Sequence, residues 1–170
     1  MNQRYDNNAP APSNHSESGF SLIELLVVVA VILIIAAIAI PNLLRSKMAA
    51  NEASAVASMR TYNTALVSYS TTYNTLPATD LSQLGPATTP SSTAADLVDN
   101  LLGIAAPVKS GYSFSFTPGA AVNGIISQYS ITSQPQSAST GQRYFFTDQS
   151  GVIRQTTNGT AATASSSPIG

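Results

Sequence analysis

The sequence predicts an α+β fold in which one long N-terminal helix packs on a small antiparallel β-sheet of about four strands. Two observations lead to this prediction. An apolar run from Phe20 to Ile40 precedes an amphipathic stretch, Asn42 to Tyr73, that contains neither proline nor glycine. Alternating aromatic and hydroxyl residues begin only after Gly111, with turn-forming residues between them. Helical signals followed by strand signals are typical of the α+β class.

The composition of the 170-residue chain excludes most enzyme chemistry. The chain has no cysteine and one histidine, His15, so a Ser-His-Asp triad or a histidine zinc site would depend on that residue. Charged residues make up 9% of the chain, and the formal net charge is −1, which argues against a surface built to hold nucleic acid. We therefore expect a protein that is not an enzyme, that needs no cofactor or metal, and that does not have nucleic acid as its partner.

The segment Phe20–Ile40 is predicted to cross a membrane. Every residue in it is apolar except Ser21 and Glu24. As a helix it would be about 31 Å long, which matches the hydrocarbon core of a bilayer. A surface helix of a soluble domain would show one polar face, and a cleaved secretory signal would have a basic start and a shorter apolar run. We therefore expect a retained single-pass helix.

Glu24 is the one charged residue inside this segment. A carboxylate in an apolar span costs about 2.5–3.5 kcal/mol, so it indicates a function and a partner. The alternative is that Glu24 lies at the membrane interface, near the positive end of the helix dipole. The residue taken alone leaves both interpretations open.

The motif GFSLIE at residues 19–24, followed by the apolar run, resembles the class III signal of type IV prepilins and of the pseudopilins of type II secretion systems. A glycine, an aromatic residue after it and a glutamate four residues later carry this resemblance. It implies a cytoplasmic leader at residues 1–19, which a membrane-embedded prepilin peptidase removes by cleavage between Gly19 and Phe20. The same enzyme would N-methylate Phe20. The fold implied is the pilin fold, in which the first half of the long helix spans the membrane.

The resemblance also implies assembly roles for Glu24 and Pro41. Glu24 would pair with the α-amine of Phe20 on a neighbouring subunit, and Pro41 would form a helix break because proline lacks the N–H of an i−4 hydrogen bond. The implied partners are the prepilin peptidase, copies of the chain and other pilins in a helical filament, an inner-membrane assembly platform, and the lipid bilayer before assembly. The implied location is the bacterial inner membrane, with a cytoplasmic N-terminus before processing, and then an extracellular or periplasmic filament.

The resemblance, together with composition and periodicity, divides the chain into segments with different expected structures. The predicted segments are a leader at 1–19, a transmembrane and filament-core helix at 20–41, a pilin head at 42–155 made of an amphipathic helix (42–73), a variable loop (74–110) and an antiparallel sheet (111–155), and a flexible tail at 156–170. Within the loop, Ala94–Leu102 is a candidate short helix.

Two residue patterns predict how the helix and the sheet meet. Met59, Tyr62, Leu66, Tyr69 and Tyr73 recur at intervals of three and four residues, which is one stripe of a helix. Aromatic residues alternate with serine and threonine from Tyr112 to Thr117, which gives a strand one apolar face. Further strands are predicted at 127–133, 143–147 and 152–155.

Three functional interpretations remain open at this level. The first is a structural subunit of a type IV pilus-like filament, which serves adhesion, motility or DNA uptake, and the head rich in serine and threonine favours it. The second is a pseudopilin of a type II secretion system. It is favoured by the absence of a C-terminal cysteine pair and by the Tyr69, Tyr73 and Pro77 junction, which resembles that of the major pseudopilin. The third is a membrane-tethered binding domain that keeps its leader and never polymerises. We prefer the pilus subunit.

Overall fold

Helix α1 (Leu22–Tyr73) is the longest element of the protein. The computed structural model describes residues 19–157 and 159–169, so the predicted leader, apart from Gly19, lies outside the described residues. The helix has 52 residues, contains no glycine and has one proline, Pro41. It ends where Asn74 adopts a left-handed backbone with φ 56°, a common conformation after the last helical turn.

Pro41 does not interrupt α1 in this structure. Residues on both sides of Pro41 are helical in this structure, so the helix break stays a prediction for the assembly step. A proline removes one i−4 hydrogen bond, and α1 includes Pro41 with that bond missing. The chain nevertheless divides into two compact units between Ile40 and Pro41.

Six antiparallel strands form one sheet, in which the strands are neighbours in the order of the chain. They are β1 (Val108–Lys109), β2 (Tyr112–Pro118), β3 (Tyr129–Pro135), β4 (Tyr144–Asp148), β5 (Arg154–Thr156) and β6 (Ser167–Pro168). The predicted α+β arrangement is confirmed, but the predicted number of strands is too small. β1 and β6 have two residues each, which is too short for a period of two to be recognised.

The apolar stripe of α1 packs on the inner face of the sheet. Met59, Tyr62 and Leu66 are fully buried, as the helical periodicity predicted. The buried apolar side chains of the sheet are Tyr112, Phe114, Tyr129, Ile131 and Phe145. Tyr62 and Phe114 meet edge to face with 5.6 Å between their ring centroids. Aromatic packing of this kind fixes the helix on the sheet, beyond the area that it buries.

Two tyrosines of α1 hold the loop at 74–110 against the helix. Tyr62 donates its hydroxyl hydrogen to the carbonyl oxygen of Leu102 at 3.0 Å, and Tyr69 donates to the carbonyl oxygen of Ser92 at 2.6 Å. Burial, together with the nearby Asp99 carboxylate, raises the pKa of the Tyr62 hydroxyl above its ordinary value. Tyr62 therefore remains a hydrogen-bond donor at neutral pH.

The loop contains a 3₁₀ helix at Leu81–Leu84 and no helix at Ala94–Leu102, where the sequence predicted one. Asp96 has a left-handed backbone, φ 55°, which a right-handed helix does not accommodate. Gly85 and Gly103 cross so closely that a β-carbon on Gly85 would lie 2.5 Å from the Gly103 carbonyl oxygen. Contacts between residues of the loop that are distant in the sequence determine its path. Helix-capping residues are a local signal and do not predict these contacts.

The flexible tail predicted at 156–170 is wrong for the residues that the structure describes there. β6 pairs with β5, and Ile169 donates its backbone N–H to the carbonyl oxygen of Ile153 at 3.0 Å. Ala162 is buried, at 2% exposure. A composition rich in serine and threonine did not predict this order, because the order comes from main-chain hydrogen bonds that nearly every residue type can make.

A buried carboxylate joins α1 to the connection between β3 and β4. Glu52 accepts hydrogen bonds at Oε1 from the backbone N–H groups of Gln142 (2.9 Å) and Arg143 (3.2 Å), and at Oε2 from Arg143 Nε (2.7 Å). Burial raises the pKa of Glu52, but the hydrogen bonds and the positive charge of Arg143 outweigh burial and hold the pKa below its ordinary value. The role of Glu52 was not predicted from the sequence, because its partners lie 90 and 91 residues away.

We expect Glu52→Gln to remove part of the pH dependence of stability. Because the pKa of Glu52 is lowered by folding, its stabilisation is complete above the ordinary value of 4.5 and is lost as the pH falls through the folded value. At pH 7 the variant should have a free energy of unfolding about 1.5–3 kcal/mol below that of the wild type. This gap should narrow below pH 4.5. Denaturant unfolding of the full chain in detergent, followed by tyrosine near-ultraviolet circular dichroism, measures both values.

Lys109→Gln is the matched control for this measurement. Lys109 Nζ lies 3.9 Å from Asp99 Oδ2, and the two side chains are 31% and 59% exposed. An exposed pair of this kind contributes less than about 1 kcal/mol, so the control should change little at any pH. A gap between wild type and Glu52→Gln that stays constant from neutral to acidic pH would contradict the prediction.

Ser133 and Thr147 are buried hydroxyls that should respond in opposite ways to removal. Ser133 Oγ has no hydrogen-bond partner among the described residues, whereas Thr147 Oγ1 accepts a hydrogen bond from Asn63 Nδ2 at 3.0 Å. Ser133→Ala should leave the free energy of unfolding unchanged or raise it by up to about 1 kcal/mol, and Thr147→Val should lower it by about 1 kcal/mol. Thermal unfolding should show a loss of about 2–4 °C in Tm for Thr147→Val alone. An equal loss for Ser133→Ala would contradict the unpaired state of its hydroxyl.

Candidate processing and assembly site

The peptide bond between Gly19 and Phe20 lies in non-helical chain just before α1. Gly19, Phe20 and Ser21 are outside the helix, and Phe20 is 91% exposed. Proteolysis concentrates at exposed chain ends and loops of this kind, because the backbone there is free to enter an active site. The predicted cleavage bond is therefore accessible, and the helix begins two residues after Phe20, at Leu22.

Ser21 and Glu24 cap the first turn of α1. The backbone N–H of Ser21 donates to Glu24 Oε2 at 2.9 Å, and Leu25 donates its N–H to the Ser21 carbonyl oxygen at 3.2 Å. A glutamate three residues after a serine N-cap, bonded back to the N-cap N–H, is half of a capping box. The carboxylate also lies at the positive end of the helix dipole. The sequence analysis missed this role, although the S-x-x-E signal is present in the sequence.

Capping uses only part of the Glu24 carboxylate. An ionised carboxylate has about four acceptor sites, and Glu24 Oε1 accepts no hydrogen bond from any residue that the structure describes. The side chain shares an open groove of about 430 Å³ with Phe20, Ile23 and Val27. The site therefore offers a carboxylate with free acceptor positions on the same groove as the residue that cleavage would make N-terminal.

The first half of α1, residues 22–40, presents apolar side chains on every side. Its most apolar window of 18 residues has a mean hydropathy of 3.3, and none of that window is buried. By length and composition the helix could cross a membrane. An apolar surface of this extent on a soluble protein marks an interaction site or a membrane contact. Within this surface, Glu24 is the one charged residue.

The structure places three of the four predicted site residues together. Gly19, Phe20 and Glu24 lie in and just before the first turn of α1, whereas Pro41 lies 17 residues beyond Glu24. In the described part of the chain, no group of three or more histidine, aspartate or glutamate side chains could hold a metal ion. The chemistry that the site offers is hydrogen bonding and charge pairing at a carboxylate.

Residues 14–40 match the family model of the prokaryotic N-terminal methylation motif. This motif is the class III signal, so the match confirms the resemblance seen in the sequence and is consistent with the type IV prepilin and pseudopilin family. The motif implies processing by a prepilin peptidase and assembly with other pilins. Together with the apolar helix, it indicates a membrane-anchored precursor. Comparisons with curated proteins and with solved structures found no match.

We expect Glu24→Gln to keep the helix cap and Glu24→Ala to lose it. A glutamine oxygen still accepts a hydrogen bond from the Ser21 N–H, as in the capping box, whereas alanine offers no acceptor. Loss of a bond contributing about 1 kcal/mol speeds local opening about fivefold. Hydrogen exchange of the Ser21 amide, measured by NMR on the full chain in detergent, should be about fivefold faster in Glu24→Ala than in the wild type or Glu24→Gln. Equal exchange in all three proteins would show that Glu24 does not cap α1.

Proposed function

We propose that the chain is a structural subunit of a type IV pilus-like filament that assembles through the first half of α1 after processing. One observation supports this most: the first half of α1 is apolar on every side, begins two residues after the exposed Phe20, and has Glu24 in its first turn as its one carboxylate. The apolar surface of such a helix is removed from water only in a bilayer or by packing against other apolar helices. Assembly with copies of itself would let the same helix leave the bilayer without exposure to water.

Processing would create a cationic partner for Glu24, which has none among residues 19–157 and 159–169. Hydrolysis of the Gly19–Phe20 bond leaves a carboxylate on Gly19 and an ammonium group on Phe20, and N-methylation keeps the positive charge. A Glu24 carboxylate paired with the Phe20 ammonium of a neighbouring copy avoids a cost of about 2.5–3.5 kcal/mol for an isolated charge in the apolar layer. The pair would also set the axial position of one helix relative to the next.

The proposal includes where and how the chain acts. It would be held in the bacterial inner membrane with its leader in the cytoplasm, and an assembly platform would then move it into an extracellular filament for adhesion, motility or DNA uptake. Pro41, which is helical here, would allow α1 to bend or melt locally during that step because one i−4 hydrogen bond is missing. The chain would act by assembly and not by catalysis.

The second candidate function is a pseudopilin in a periplasmic filament of a type II secretion system. The absence of cysteine favours it, because type IV pilins characteristically have a C-terminal cysteine pair. Electron microscopy of material sheared from the cell surface separates the two candidates. Fibres that are present with the chain and absent without it support the pilus, and filaments confined to the periplasm support the pseudopilin.

The charge of Glu24 should be required for assembly and not for cleavage. Mass spectrometry of the chain from membranes should show a mature form that begins at N-methylated Phe20, in the wild type and in Glu24→Gln and Glu24→Ala. Both variants should reduce filament yield at least about tenfold, which corresponds to a loss of about 1.4 kcal/mol per added subunit. The yield is measured as the fraction of chain in sheared filaments by immunoblot.

Ser21→Ala is the matched control, because it keeps both the Ser21 backbone N–H and the Glu24 charge. It should assemble as the wild type does. A full-length chain with its leader retained in the membrane would support the tethered binding domain and reject the proposed function. Normal filament yield from Glu24→Gln would show that the cap, and not the charge, is the part of Glu24 that assembly needs.

A further inference from the structure

Most charged side chains of the head are satisfied within the chain. Two ion pairs join Glu52 to Arg143 and Asp99 to Lys109. The other charged side chains with a partner are Asp80 and Asp148, which accept backbone N–H bonds, and Arg154. Arg154 donates from Nη1 to a carbonyl oxygen, and its buried Nε has no partner among the described residues. Across residues 41–157 and 159–169, four charged side chains have no such partner among the described residues: Arg45, Lys47, Arg60 and Asp96. All four are exposed.

The three unpaired cations all lie on α1, and two of them lie on one side of it. Arg45 and Arg60 are 15 residues apart in the helix. At 100° and 1.5 Å per residue they are separated by about 60° around the axis and about 22 Å along it. Lys47 lies about 140° or more from either arginine around the axis. The one acidic residue of α1 beyond Pro41 is Glu52, which Arg143 neutralises.

Asp96, the one anion without a partner across residues 41–157 and 159–169, is held on a fixed backbone in the loop. Its N–H donates to the Gly85 carbonyl oxygen at 2.8 Å, and the N–H groups of Leu97 and Val98 donate to the Leu84 carbonyl oxygen at 2.9 and 3.1 Å. Its left-handed conformation, φ 55°, is one that aspartate adopts more readily than most residues. The loop therefore presents an exposed carboxylate in a defined position.

We propose that Asp96 of one copy forms an ionic contact with Arg45 or Arg60 of α1 in the adjacent copy of the filament. The inference rests on the proposed function, because it requires copies of the chain to lie side by side. The charges are complementary, since the arginine side of α1 is positive and the loop carries the negative partner. Repetition of a heterologous contact gives a closed ring or an open helical array, and the proposed filament requires the open array.

The contact would determine the orientation of the adjacent copy more than it would add to the stability of the filament. Exposed ion pairs contribute little each, but they favour the correct orientation and disfavour arrangements that bring like charges together. A chain with 9% charged residues offers few competing pairs. Each added subunit would repeat the contact, so a small effect per subunit changes filament yield measurably.

A double-mutant cycle on the full chain tests the contact in cells that assemble the filament. Asp96→Asn removes the charge and retains a residue that tolerates the left-handed backbone. Asp96→Asn should lower filament yield about threefold to fivefold, and Arg45→Gln or Arg60→Gln should lower it to the same extent. Combining Asp96→Asn with the arginine variant that forms the contact should cause no further loss, because the interaction is already absent.

Lys47→Gln is the matched control, since Lys47 is equally exposed but lies on another side of α1. It should assemble as the wild type does. Wild-type yield from Asp96→Asn overturns the inference, and so do losses that multiply independently when Asp96→Asn is combined with each arginine variant. A wild-type chain that is never cleaved or never forms filaments instead rejects the proposed function.

Cysteine cross-linking gives a second measurement that does not depend on the stability of any charge variant. The chain has no cysteine, so introduced cysteines have only each other as partners. Mixed filaments of chains with Asp96→Cys and chains with either Arg45→Cys or Arg60→Cys should form a disulfide between copies under oxidising conditions. Asp96→Cys with Lys47→Cys should not. Absence of the cross-link with both arginine positions overturns the inference.

Discussion

The first half of α1 presents hydrocarbon on every side, and water is a poor solvent for such a surface. The rest of the N-terminal region can be understood from this constraint. In an apolar layer, the backbone N–H and C=O groups of a helix can form hydrogen bonds only with the protein. The first N–H groups of the helix have no acceptor within the helix and need another one. Glu24 provides such an acceptor for the Ser21 N–H, and its carboxylate retains acceptor sites for a second partner. One residue thus has a role in the single chain and a proposed role between chains.

The head has few charged residues, and its stability depends on the contact between the second half of α1 and a small sheet. Buried polar side chains of α1 stabilise this contact by hydrogen bonds to residues that are distant in the sequence. Glu52 bonds Gln142 and Arg143, and Tyr62 bonds Leu102. Because so many of the few charges are used within the chain, the exposed and unpaired ones, Asp96 among them, stand out as candidates for contacts between copies.

The errors of sequence-based prediction have particular physical causes. Capping residues indicated a helix at Ala94–Leu102, but the crossing of Gly85 and Gly103 imposes another path on the loop. The tail lacks apolar periodicity, yet β6 is ordered by pairing with β5, and main-chain hydrogen bonds leave no trace in composition.

By itself the sequence determined the features that depend on neighbouring residues. The apolar run, the GFSLIE motif at 19–24 and the buried stripe that includes Tyr62 all follow from spacing along the chain, because helical periodicity and a linear recognition motif are local. Only the tertiary structure decided which distant groups meet. The Glu52–Arg143 pair and the left-handed Asp96 arise because folding brings together segments far apart in sequence, and their energies depend on burial and geometry that residue order does not encode locally.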